Sequence, residues 1–248
     1  MTRDAAAGRR PVEAQPEIVL IIGTGRSGTH WLARVLRSHP RFRVTLERFP
    51  MFQLTTRMAV DRRLRAALFP LLVLSYRAQR LASGDRIYAD KSHPAIWLAE
   101  PLAEALPSAL FLGVQREPFA TVSSMIRRDG VRAWHERWRR YPVPNAFLGI
   151  TEEIAPRYDS MSLAKRCALR WRAHRERMES LKPLLGHRLH VVGYEDLARD
   201  PVRELSALQD WLGLDTPFPA PRVDRDALER WRTQLSDRDV ADISAVVA

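Results

Sequence analysis

The stretch Ile18-Val-Leu-Ile-Ile-Gly-Thr-Gly-Arg-Ser-Gly-Thr-His-Trp-Leu32 passes from an apolar run into a glycine-rich turn and then into a helical pattern. Gly23, Gly25 and Gly28 permit positive φ and close approach, while Ser27 and Thr29 add hydroxyls. A helix opening near Gly28 presents free N–H groups at its first turn. The combination predicts an anion-binding loop at the mouth of a strand.

Working outward, strand and helix signals alternate. The helix over 29–38 is stopped by His39-Pro40, and residues 41–46 alternate as a short strand ending at Glu47. Residues 51–82 carry Leu, Ala and Arg at helical spacing, which predicts two helices broken near Pro70 and acting as a cap. A strand over 86–91, a helix over 95–105, a strand over 109–115 and a helix over 118–128 follow. Residues 129–159, with Trp134, Trp138, Tyr141 and several prolines, read as a long loop on the acceptor side. Then come a basic amphipathic helix over 160–185, a strand over 188–193, a helix between Asp200-Pro201 and Gly213, and a helix candidate from Ala227. This order predicts an α/β, three-layer P-loop-type fold with a central, mainly parallel sheet flanked by helices and ligands at the strands' C-terminal ends. One domain is expected over 18–248, after a flexible tail at 1–17.

Composition narrows the function. Forty Lys+Arg against 29 Asp+Glu give a net charge of +11, mostly from arginine, which favours polyanionic ligands but also fits a solvated arginine-rich surface. The one cysteine, Cys167, excludes an internal disulfide and fits a reducing compartment, so a cytoplasmic location is expected. The longest apolar run, Ala66 to Leu74, is far short of the ~18 residues of a membrane span.

The first loop has the G-x-x-x-x-G spacing of a Walker A loop between Gly23 and Gly28, but Thr29 stands where that loop has lysine, and the cation is inside it as Arg26. A second constellation, Gln115-Arg-Glu-Pro-Phe-Ala-Thr-Val-Ser-Ser-Met-Ile-Arg-Arg128, puts Arg116 at a strand mouth. Ser124 and Arg128 lie four apart, so on a continuous helix they share a face. Two anion sites on one parallel sheet fit a nucleotide phosphorylated at two places.

Together with Tyr194-Glu-Asp-Leu197 and Arg199-Asp-Pro201, these segments resemble the sulfotransferases that use 3′-phosphoadenosine 5′-phosphosulfate (PAPS) and release adenosine 3′,5′-bisphosphate (PAP). The resemblance spans roughly residues 18 to 235 and implies a 5′-phosphosulfate site at Gly25, Arg26, Ser27, Gly28, Thr29 and His30. It implies a 3′-phosphate site at Arg116, Ser124 and Arg128, with Tyr194 beside the nucleotide. The C-terminal Arg-Lys-Gly loop of the cytosolic enzymes is missing, and Arg230-Trp231-Arg232 stands as its substitute.

His39-Pro40 followed by Glu47, and Asp90-Lys91-Ser92, are similar to segments of the tyrosylprotein and carbohydrate branch. They imply Glu47 as general base, with Lys91 and Arg26 stabilising charge on the transferring group and the departing oxygen. Lys91 and His93 also resemble the Lys-x-His of the cytosolic branch, which makes His93 the second candidate base. A sulfuryl group bears less charge than a phosphoryl group, so no metal is expected. The acceptor is expected to be a hydroxyl or amine of a carbohydrate, a peptide tyrosine, a lipid or a small metabolite. Two other readings stand beside this one. A P-loop kinase or NTPase would need magnesium and an acid such as Asp196, and a non-catalytic nucleic-acid-binding protein would use the basic charge alone.

Overall fold

The computed structural model describes residues 16–247, so most of the expected tail, residues 1–15, lies outside the described residues. Five strands form one parallel sheet in the order β2-β3-β1-β4-β5: β1 (Ile18–Gly23), β2 (Phe42–Leu46), β3 (Ile87–Lys91), β4 (Ala109–Gln115) and β5 (Leu189–Gly193). β1 is buried at all six positions, which is why it reads as an unbroken apolar run and not as an alternation. The chain builds to one side of β1 and then to the other, making its C-terminal mouth the topological switch point where such sheets bind ligands.

The helices are α1 (Thr29–Ser38), α2 (Met51–Val60), α3 (Arg65–Leu81), α4 (Ala99–Ala105), α5 (Pro118–Ile126), α6 (Asp129–Glu136), α7 (Leu163–Leu185), α8 (Tyr194–Arg199), α9 (Pro201–Leu212) and α10 (Asp237–Val247). On one face of the sheet Leu20, Ile22, Tyr88 and Phe111 pack against Met51, Met58, Leu72, Tyr76 and Met178. On the other, Val19, Ile21, Ala89 and Leu112 pack against Leu32, Leu36, Leu205 and Leu208. Each such side chain contributes about 1.5–3 kcal/mol on full burial. A third cluster joins α5, α7 and α10 around Val122, Phe147, Ala168 and Ile243.

Four local expectations are corrected. The helices of 51–82 part at Asp61, not at Pro70, because the Asp61 carboxylate accepts the Arg63 N–H at 3.0 Å and caps a 3₁₀ turn over 62–64. Pro70 lies inside α3, which continues because Leu72, Val73 and Tyr76 are buried beyond it, and the segment thereby joins the main core. The 129–159 stretch holds α6 and 3₁₀ turns over 138–140 and 155–160. α5 ends at Ile126, and Arg128 is the N-cap of α6, so Ser124 and Arg128 do not share one helix face. The region from Ala227 is 3₁₀ until Thr233, and its helix begins only at Asp237.

Candidate active site

After β1 the chain turns through Gly23–Gly28, and Gly28 caps α1 in a left-handed conformation (φ 101). A side chain at Gly28 would run into the Tyr194 ring, so glycine is required there twice over. The Ser27 hydroxyl donates inward to the Thr24 carbonyl at 2.7 Å, leaving that side of the loop to act through its N–H groups. Thr29 is buried in the first turn of α1.

Arg26 bridges the two constellations, its Nε donating to Ser124 Oγ at 3.0 Å. Burial, and then the neighbouring charges of Arg128 and Arg116, lower its pKa. The Arg116 guanidinium lies 4.3 Å from the centre of the Tyr194 ring, donates to the Ala227 carbonyl at 2.5 Å, and keeps a buried Nε without a partner. Three arginines crowded together with an unspent donor are a cradle for an oxyanion.

The other half of the site grows from β2 and β3. The Glu47 N–H donates to the Lys91 carbonyl at 2.9 Å, and the Glu47 carboxylate pairs with Lys91 Nζ. Lys91 is 1 % exposed at the end of β3; burial lowers its pKa and Glu47 opposes that shift. His93 Nδ1 lies 3.2 Å from the same carboxylate, and His30 Nε2 stands 3.8 Å from its other oxygen. Burial raises the Glu47 carboxyl, but the His93 hydrogen bond and the charge of Lys91 outweigh it and hold the group down at about 2. Burial holds His93 down at about 3, so its ring is neutral at physiological pH, and its Nε2 is unpartnered and turned toward Gly25.

Backbone strain marks the same two residues. Among the described residues only Arg26 (φ 79) and Glu47 (φ 47) are non-glycine residues at positive φ. Such conformations cost of order 1–3 kcal/mol each and persist where the surroundings over-determine them.

Most of the expected site residues converge: Gly25 to His30, Glu47, Lys91, His93, Arg116 and Ser124 are tied by the contacts above, and Arg128 acts on Arg26 by charge. Tyr194 props the loop and Arg116. Arg230 instead donates to Asp224 Oδ2 at 2.8 Å and is largely exposed. Asp196 sits beside Gly193 and pairs with Arg199 at 3.7 Å, away from the loop. Sequence reading picked out only Arg230-Trp231-Arg232 of a strap that runs over 222–234. It is tied down by Trp31 Nε1 donating to the Arg222 carbonyl, by Arg116, by Phe119 stacked on Trp231 at 4.8 Å, and by Gln234 accepting from Ser123. No residue type announces such a strap, because two of these ties are backbone carbonyls and the other two join side chains more than a hundred residues apart. A cavity of about 440 Å³ between α7 and α10 is lined by none of these groups, so size does not locate the chemistry.

An anion loop at the switch point, joined through Arg26 to a second cationic cluster and facing a carboxylate–lysine pair, defines a P-loop-type group-transfer protein. Residues 16–218 match the profile of the sulfotransferase family, and the chain belongs to that family and is a sulfotransferase. The fold is similar to the sulfotransferase domain of the olefin synthase from Synechococcus PCC 7002 (17% identity, TM-score 0.55, 97% of this chain and 98% of that one). It is also similar to the sulfotransferase domain from the curacin biosynthetic pathway (14%, 0.59, 94% and 98%). A third likeness is a sulfotransferase from Alicyclobacillus acidocaldarius (20%, 0.50, 95% and 96%). No curated protein matches the sequence. Among the described residues no helix is long and apolar enough to cross a membrane, and no cluster of three or more His, Cys, Asp or Glu could hold a metal ion.

Proposed function

We propose that the protein moves a sulfuryl group from PAPS to an acceptor hydroxyl or amine with Glu47 as general base, releasing PAP. The observation that carries this reading is the convergence of the two strained residues, Arg26 and Glu47, on one cleft beside Lys91. The residues present fit the donor. N–H groups of the Gly25–Thr29 loop other than that of Ser27, which donates to the Thr24 carbonyl, serve the 5′ side with His30, and Arg116, Ser124 and Arg128 serve the 3′ side, where Arg116 Nε is unpartnered. The donor supplies an electrophilic sulfur on a leaving group that the arginines stabilise.

Glu47 takes the acceptor's proton as the new bond to sulfur forms and the bond to the bridging oxygen breaks. A carboxylate held at about 2 is a weak base while Lys91 is bonded to it. Lys91 carries three N–H donors, and turning the one bonded to Glu47 toward a sulfuryl oxygen returns basicity to the carboxylate. His93 serves as a positioning residue: with its proton on Nδ1 it donates to Glu47 and fixes the carboxylate's rotamer. The Arg225–Thr233 part of the strap, with Arg230, covers the nucleotide side. Residues 18–248 work as one domain in the cytoplasm.

Calorimetry without magnesium tests the donor site. PAP should bind the wild type and lose affinity in Arg116→Ala, while AMP binds weakly. Binding of PAP that Arg116→Ala leaves untouched would overturn the assignment.

A further inference from the structure

Arg170, on α7, is a cation with no counter-charge among the described residues. It is 0 % exposed, and its Nε, Nη1 and Nη2 all lack a hydrogen bond. Its guanidinium rests against two rings, 4.6 Å from Trp134 and 4.4 Å from Phe147, which themselves meet edge-on with centres 5.1 Å apart. The groups that act on its charge are Cys167 and Tyr158, with no carboxylate among them. Aromatic faces compensate a buried guanidinium only in part, and five N–H donors in a planar fork are the complement of a carboxylate. A buried, unpaired charge is among the costliest arrangements a core can hold, so its retention calls for a use.

The position supplies that use. Trp134 is also 6.5 Å from the His93 ring, and His93 touches Glu47 at 3.2 Å. A short path therefore leads from the base, across Trp134, to the unspent guanidinium. Phe147 is fully buried and fixed, whereas Trp134, on the short helix α6, is partly exposed. Of the two rings, only Trp134 has solvent to move into.

We infer that the acceptor is a hydroxy acid whose carboxylate displaces Trp134 from Arg170 and so aims the hydroxyl at Glu47. This rests on the sulfotransferase reading with Glu47 as base. In the resting protein the indole occupies the anion's place, and a neutral acceptor leaves it there.

The test compares free acids with their methyl esters, 4-hydroxyphenylacetate and 3-hydroxydecanoate being the probes, in wild type, Arg170→Met and Arg170→Lys. Turnover with PAPS and calorimetry in the presence of PAP are both read. Wild type should prefer the acids over the esters by roughly 10–100-fold in kcat/KM, through KM. Arg170→Met should abolish that preference, Arg170→Lys should restore part of it, and Arg170→Met should melt no lower than wild type, because it removes an unpaired buried charge. Equal use of acid and ester by wild type overturns the inference, as does failure of every acid to bind or react. A marked fall in melting temperature of Arg170→Met with acid and ester lost alike makes Arg170 a structural strut and also overturns it. Failure of wild type to bind PAP is a separate result: it removes the donor site, and this inference with it.

Discussion

Asp90 and Lys91 are neighbours in β3, each 1 % exposed, and they point to opposite faces of the sheet. On the Asp90 face, Thr45 donates to one carboxylate oxygen at 2.7 Å, Tyr76 to the other at 3.0 Å, and the Tyr88 hydroxyl lies 2.6 Å from Thr45. Burial raises the Asp90 pKa despite these bonds. The Lys91 face carries a strained Glu47, a His93 with an unpartnered nitrogen, and a loop whose Arg26 is also strained. Asp90 and Lys91 are equally buried, so burial alone does not separate them. A satisfied polar network makes structure, while unspent polar atoms on a strained backbone make a site that is completed by its ligands.

Glu47→Gln should break that contrast most severely. It keeps the shape of the Lys91 face but cannot take a proton, so kcat should fall about 10²–10⁴-fold while PAP affinity holds. Full turnover in a single-turnover assay would refute the base assignment.

Tyr76→Phe probes the other face. It strips Asp90 of one donor and should cost about 1–3 kcal/mol in urea unfolding without changing kcat. A loss of turnover without a loss of stability would mean that the two faces are not separable.

Arg26→Gly separates strain from use within one residue. Relief of the left-handed backbone should stabilise the fold by about 1 kcal/mol, while PAP binding weakens roughly tenfold or more. Destabilisation would show that Arg26 is held for packing.

The smallest expected effect lies in the pH dependence of stability, where the two carboxylates have opposite signs. Glu47 is held down at about 2, so its contribution is present above the ordinary carboxylate range and is lost as pH falls toward 2. Asp90 is raised, so its contribution is greatest in acid and declines as pH rises through its folded value. Urea unfolding across pH should show Glu47→Gln flattening the acid-side loss and Asp90→Asn removing the opposite trend.

The sheet was legible because parallel strands buried on both faces must be apolar runs and their connections must be helices. All five strands end within a residue of the expected place, and β2, β3 and β5 lack only the first residue. The phosphate loop was legible because glycine, hydroxyl and cation crowd a few positions. Less local features escaped. Pro70 looks like a break until Leu72, Val73 and Tyr76 are seen buried beyond it, and the shared face of Ser124 and Arg128 vanishes once α5 stops at Ile126. Arg170 sat unremarked in a helix that read as basic and amphipathic, because periodicity alone does not distinguish a solvated arginine from one buried against rings distant in sequence.

By itself the sequence determined the parallel α/β sheet, the anion loop at the mouth of β1, and the residue types needed for sulfuryl transfer, all of which depend on near neighbours along the chain. Only the tertiary structure decided that Lys91 and His93 meet Glu47 across some 45 residues, and that Arg26 and Glu47 take strained backbones. It also decided that Arg230 turns to Asp224 and that Arg170 is left without a counter-charge. Charge pairing and strain depend on through-space distances, and these are set only when the packed helices fix which strand ends stand side by side.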